Sequence, residues 1–105
     1  MENKFIQIQT AVPKKGDAVK IAEVLAKKKL SACTQVVGPV ESTFRWKGKI
    51  LREKEWLCLI KTKKSLYKKV EHEIKKIHPY EVPEIITTPI VAGSQEYLNW
   101  IEKEI

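Results

Sequence analysis

The chain has 105 residues, a formal net charge of +7, 43% hydrophobic and 31% charged residues, and two cysteines. That is the size of one domain, residues 1–105, with a core able to stand without staples. No apolar run approaches the ~20 residues of a membrane span, and two cysteines make no disulfide framework. The basic charge invites a nucleic-acid reading. It is carried almost wholly by lysine, however, with Arg45 and Arg52 the only arginines. Arginine is the residue suited to bidentate phosphate and base contacts, so no specific nucleic-acid partner is expected, and a basic RNA-binding module is the third reading. The Lys/Glu-rich composition resembles that of thermostable proteins.

Met1-Glu2-Asn3-Lys4 leads into a strand-like run without the pattern of a signal peptide, so a cytoplasmic location is expected. Phe5 to Thr10 alternates as a strand. Asp17 stands where it can cap a helix over residues 17–30, with Ala18, Ile21, Ala22 and Leu25 as its apolar stripe. Ala32 to Trp46 is extended and interrupted at Gly38-Pro39, the signature of a bulge. Beyond it Val40, Ser42, Phe44 and Trp46 point to one side.

Lys47-Gly48-Lys49 is a hairpin turn, and residues 50–62 return as the partner strand. A hairpin centred on Gly48 pairs residues whose numbers sum to about 96, which sets Cys58 opposite Gly38. Cys33 then lies about five residues further on, roughly 17 Å away, so both thiols are expected to be free.

Thr62 or Ser65 is the expected cap of a second helix striped by Leu66, Val70, Ile74 and Ile77. On it Glu71 and Lys75 stand as an i,i+4 pair and His72 faces solvent. Pro79 ends that helix at His78. Glu84 to Val91 reads as a fourth strand, with Pro89 at an edge position. Ser94 caps a last helix carrying Tyr97, Leu98, Trp100, Ile101 and Ile105. The order strand-helix-strand-strand-helix-strand-helix predicts an α+β protein. It is the ferredoxin-like split β-α-β arrangement: an antiparallel sheet, two helices on one face, and a short C-terminal helix.

Two helices cover only one side of such a sheet. On the third strand Trp56, Cys58 and Ile60 face one way, and Leu57 and Leu59 the other. The second side is therefore apolar where an uncovered sheet face should be polar. A closed homo-oligomer is expected, its bare sheet faces packed together.

Ser31-Ala32-Cys33, Ser42-Thr43-Phe44-Arg45-Trp46-Lys47-Gly48, Glu55-Trp56 leading to Lys61-Thr62, His78-Pro79-Tyr80-Glu81-Val82-Pro83-Glu84 and Tyr97-Leu98-Asn99-Trp100 together resemble the CutA family of divalent-cation tolerance proteins. The resemblance spans nearly the whole chain. It implies a ferredoxin-like subunit in a homotrimer similar to PII-type signalling proteins, with a link to copper (Cu²⁺) and other divalent cations. Copper-binding members carry a first-strand cysteine and a doubled histidine before the Pro-Tyr. Here Thr10 and Ile77 stand at those positions, leaving His78, and Phe44 replaces the usual tyrosine.

His78 is the first candidate for a metal ligand and Cys33 the second. Two prolines hold residues 78–84 extended, which separates His78 from Glu84 by roughly 20 Å, so no single ion is chelated within the motif. Pro79 and Pro83 also serve simply to stop a helix and start an edge strand. Lys61, Glu55, Trp46, Tyr80 and Glu81 are candidates to line a cleft between subunits. The main functional reading is a trimeric binding or signalling protein of divalent-metal tolerance that requires no cofactor. The alternative is a PII-like small-molecule sensor holding an anion through Lys61. No Gly-rich phosphate loop, GxSxG, HExxH or CxxC motif supports an enzyme.

Overall fold

In the computed structural model residues 4–105 are described; the reading of Met1, Glu2 and Asn3 lies outside them. Strands β1 (Phe5–Val12), β2 (Cys33–Trp46), β3 (Lys49–Lys63) and β4 (Ile85–Pro89) form one sheet. Their order is β2-β3-β1-β4, and every neighbouring pair is antiparallel. Helices α1 (Lys15–Lys27) and α2 (Tyr67–Ile77) are the two crossovers, and α3 (Gln95–Glu104) closes the chain. This is the ferredoxin-like α+β arrangement expected from the order of elements.

The core lies between the sheet and α1 and α2. Alternation brings Ile6, Ile8 and Val12 of β1 and Cys58 and Ile60 of β3 to the same face, where they meet Ala18, Ile21, Leu25, Val70 and Ile74. Both expected helical stripes are thus the buried ones. His72 is exposed as read, and Glu71 is engaged by Tyr67 Oη at 3.0 Å and Lys68 Nζ at 3.9 Å in place of the expected Lys75.

Element ends differ from expectation, because caps depend on the approach angle of the chain. Helix α1 begins at Lys15 with no side-chain cap, and Asp17 sits within its first turn, favourable to the helix dipole but not capping it. It ends at Lys27 because Lys29 turns left-handed (φ 56°) and the Leu30 N–H returns to the Leu25 carbonyl. Neither Thr62 nor Ser65 caps α2. A 3₁₀ turn, Lys64–Leu66, intervenes, and Thr62 stays in β3, where its buried hydroxyl donates to the Leu30 carbonyl at 2.7 Å. Ser94 does cap α3, accepting from the Tyr97 N–H. Strand β4 is shorter than read, running Ile85–Pro89; Pro89 stands across from Ile6, and the following N–H, of Ile90, still donates to the Phe5 carbonyl at 3.0 Å.

The hairpin turns through Lys47 and Gly48, both at positive φ (51° and 78°), the geometry of a type I′ turn. Phe44 then faces Leu51 and Val40 faces Glu55, before a bulge between Val37 and Val40 shifts the register. Cys58 consequently pairs with Val36, not Gly38, and Cys33 with Lys61. Three residues rather than five separate the cysteines along the ladder, roughly 10 Å, and both thiols are free.

The bulge is also a place of close approach. A Cβ on Gly38 would lie 2.8 Å from Trp56 Cε3 and 3.0 Å from the Glu55 carbonyl oxygen. Gly38→Ala is therefore expected to destabilise the protein by about 1–3 kcal/mol through overpacking, measurable by denaturant titration. An unchanged midpoint would mean that the Trp56 ring moves aside freely.

The opposite face of the sheet is apolar in strips. Val37, Leu57 and Ala11 form one cross-strand row and Gln35, Leu59, Gln9 and Ile86 the next. Val37 is 42% exposed and Ile86 53%. Helix α3 covers only one end of this face: Ile101 is buried there, and Glu102 pairs with Lys4 and Lys63. Its Tyr97 and Trp100 rings stack 5.6 Å apart, both substantially exposed.

Candidate functional site

The segment His78–Glu84 joins α2 to β4, and three side chains strap it to the sheet. His78 begins it as the extended C-cap of α2. Its Nδ1 accepts from the Tyr80 N–H at 3.1 Å, which leaves Nε2 to carry the proton and donate to the Ala11 carbonyl at 2.9 Å. The Tyr80 hydroxyl donates to Glu55 Oε2 at 2.9 Å, and Gln9 Nε2 donates to Glu84 Oε2 at 2.8 Å. The imidazole of His78, the phenol of Tyr80 and the carboxylate of Glu84 thus hold the connection against β1 and β3.

These contacts set the acid–base behaviour. Burial keeps the His78 imidazole below its ordinary 6.5, against the opposing effects of the Ala11 hydrogen bond and of Asp17 and Glu55. Burial, the Glu55 hydrogen bond and the Glu55, Glu53 and Asp17 charges push the Tyr80 phenol up to about 12. Each shift has a sign in stability. The His78 contribution is complete above 6.5 and is lost as pH falls through that value and below. The Tyr80 contribution is complete below 10.0 and is lost as pH rises from there to about 12. An ultraviolet titration is expected to find one phenol ionising last. That phenol should vanish in Tyr80→Phe and ionise earlier in Glu55→Gln; no change in Glu55→Gln would contradict the bond.

Between this strap and the β2–β3 hairpin lies an open cleft of about 860 Å³. Alternation supplies it from both strands: Ser42, Phe44 and Trp46 of β2 stand on the same face as Leu51, Glu53 and Glu55 of β3. The strap adds Pro79, Tyr80, Glu81, Val82 and Glu84. Phe44 and Trp46 remain 37% and 45% exposed, while Glu55 is only 8% exposed. Four carboxylates line the cleft, and no lysine or arginine does. In a chain of net charge +7, four of the 13 acidic side chains stand together here.

Of the residues singled out from the sequence, Glu55, Trp46, Tyr80 and Glu81 come together in this cleft. Lys61 does not line it. It lies six residues along β3 from Glu55, roughly 20 Å away, with its ammonium donating to Gln35 Oε1. Cys33 stands opposite Lys61 and His78 beside Ala11, which pairs with Leu57. Four residues of strand, roughly 13 Å, separate the two. His78 has both nitrogens engaged by backbone, and among the described residues no group of three His, Cys, Asp or Glu side chains is placed to hold a metal ion. Of the acidic lining residues, Glu53 was missed in sequence, and Glu84 was weighed as a partner of His78 but not as a lining residue. Glu53 was recoverable, because a hairpin through Gly48 puts it across from Ser42 on the face that carries Phe44 and Trp46.

The fold has counterparts among known proteins. Residues 6–104 match the family described as CutA1 divalent ion tolerance protein. The chain belongs to the CutA1 family. It is 38% identical over 92 residues to the divalent-cation tolerance protein CutA of Thermus thermophilus, covering 88% of this chain and 89% of that one. It is 36% identical to the chloroplastic CutA protein of Arabidopsis thaliana over 92% of this chain, but spans only 53% of that longer relative. The crystal structure of CutA1 from the psychrotrophic bacterium Shewanella sp. SIB1 superposes with a TM-score of 0.95 at 36% identity, covering 99% of this chain and 97% of that one. The antiparallel four-stranded sheet with three helices is thus the CutA1 fold. Among the described residues no helix is long and apolar enough to cross a membrane.

Proposed function

We propose that this CutA-type protein acts in divalent-cation tolerance by binding or signalling rather than by catalysis, as a homotrimer whose ligand is a cation held in the acidic cleft. The observation that carries this reading is the lining of that cleft: Glu53, Glu55, Glu81 and Glu84 with no basic side chain, in a strongly basic chain. Such a concentration of one sign attracts the opposite sign and focuses it. Carboxylate and phenol oxygens suit hard divalent ions. A copper site at His78 would require the imidazole to release the Ala11 carbonyl or the Tyr80 N–H first. The apolar rows of Val37, Leu57, Leu59 and Ile86 supply the reason for assembly. Two free thiols suit the reducing cytoplasm. The rival reading, an anion held by Lys61 as in a PII-like sensor, draws on an ammonium already bonded to Gln35 and remote from the cleft.

Light scattering at micromolar concentration is expected to give the mass of three chains, and a monomeric mass overturns the assembly. Calorimetry with Cu²⁺ and with Mg²⁺ is expected to give binding heat that disappears in Glu55→Gln and persists in Lys61→Ala. Heat unchanged in Glu55→Gln overturns the cleft as the site.

A further inference from the structure

The helix side of the sheet carries the whole charge surplus of the chain. Residues 14–29 and 64–77, which are α1, α2 and their flanks, hold eleven of the 20 basic residues and four of the 13 acidic ones. That surplus equals the net charge of +7, and the remaining residues hold nine of each sign. Lys28 and Lys76 share Glu73, and Lys68 lies 3.9 Å from Glu71. Lys20, Lys27, Lys29, Lys69 and Lys75 are exposed and have no ion-pair partner among the described residues. The apolar rows of the sheet face the other way, so assembly through those rows leaves this side in solvent.

Helix geometry sets the lysines at fixed spacings. Lys20 and Lys27 are two turns apart on one side of α1, ~10 Å, and Lys68 and Lys75 repeat that spacing on α2. The 2.8 Å ion pair of Lys28 Nζ with Glu73 Oε1 ties the end of α1 to the middle of α2. Axes of packed helices lie ~8–10 Å apart, so two lysine rows run side by side at close to the ~12 Å width of a duplex major groove. Among the described residues Val19 is the only large apolar side chain exposed on these helices. Nothing there can stack on unpaired bases or enter a bilayer.

We propose that the outer face of α1 and α2 binds double-stranded nucleic acid without regard to sequence, its lysines against the phosphates. A duplex presents one negative charge per ~1.7 Å of its axis, a dense and regular complement to ammonium groups held at fixed spacing. The lack of arginine that excludes base readout leaves this backbone contact open. The acidic cleft has no part in it.

Fluorescence anisotropy of the full-length protein with two short DNA duplexes of unrelated sequence tests this. Both are expected to bind equally at low salt, the logarithm of the association constant falling against that of salt with a slope of about −4. Lys69→Glu combined with Lys75→Glu is expected to weaken binding about tenfold or more and to reduce the slope by about 2. Lys20→Glu with Lys27→Glu should do the same from α1, and serves if circular dichroism shows the first pair to disturb folding. Lys54→Glu with Lys103→Glu changes the net charge equally but away from these helices, and is expected to cost less than about threefold. No duplex binding at low salt, equal losses in the helix and control pairs, or a clear preference for one duplex overturns the proposal. Tighter binding to vesicles containing phosphatidylserine than to either duplex would make this a membrane-facing surface and overturn it as well.

Discussion

Leu59→Lys is expected to convert the proposed homotrimer into folded monomers. Leu59 stands mid-sheet in the row Gln35–Leu59–Gln9–Ile86, on the face that α1 and α2 do not cover. In the single chain it is half-buried, and its neighbour Ile86 is 53% exposed. A lysine there is tolerated by an isolated subunit, since its ammonium reaches water over the apolar strip. Packed against a second copy it becomes a charge without a partner, costing several kcal/mol in each subunit. Light scattering should therefore fall to the mass of one chain while circular dichroism keeps its native shape. A mass that stays at three chains would mean that subunits meet elsewhere, at the hairpin or the β4 edge.

One residue further along the same strand the expected outcome reverses. Ile60 is fully buried on the helix side, opposite Ile8 on β1. Ile60→Ala leaves a cavity that close-packed neighbours cannot fill, and a loss of about 2–5 kcal/mol is expected. Denaturation must be compared at one protein concentration, because assembly adds to apparent stability. The two substitutions separate the faces of β3: Leu59→Lys should change the mass and spare the fold, Ile60→Ala should weaken the fold first. A loss below about 1 kcal/mol for Ile60→Ala would show that α1 and α2 settle onto the sheet more freely than native packing density implies.

The strand-helix order was legible because periodicity is local. Ala18, Ile21 and Leu25 recur at helical spacing, and Ile6 and Ile8 at strand spacing, and those are the side chains the core takes up. The third strand announced its double-sided character in the same way, through Leu57 and Leu59 beside Cys58 and Ile60. The family was legible too, in the His78–Glu84 string above all. The helix starts were not. Asp17 and Thr62 had the chemistry of caps, but the path of the chain into each helix put Asp17 in the first turn and turned the Thr62 hydroxyl to Leu30.

The sequence alone thus determined the elements, their order and the two-faced sheet, because each depends on the spacing of side chains along a few turns or strand residues. Only the tertiary structure decided what meets across the sheet. A bulge at Gly38-Pro39 moved Cys58 from Gly38 to Val36, and the α2–β4 connection folded back so that Tyr80 reached Glu55 and His78 reached Ala11. It also separated Lys61 from the cleft and gathered four carboxylates into it. Those pairings join residues distant in the chain. They are set by register and by the direction in which a connection returns, and neither is written in any local spacing.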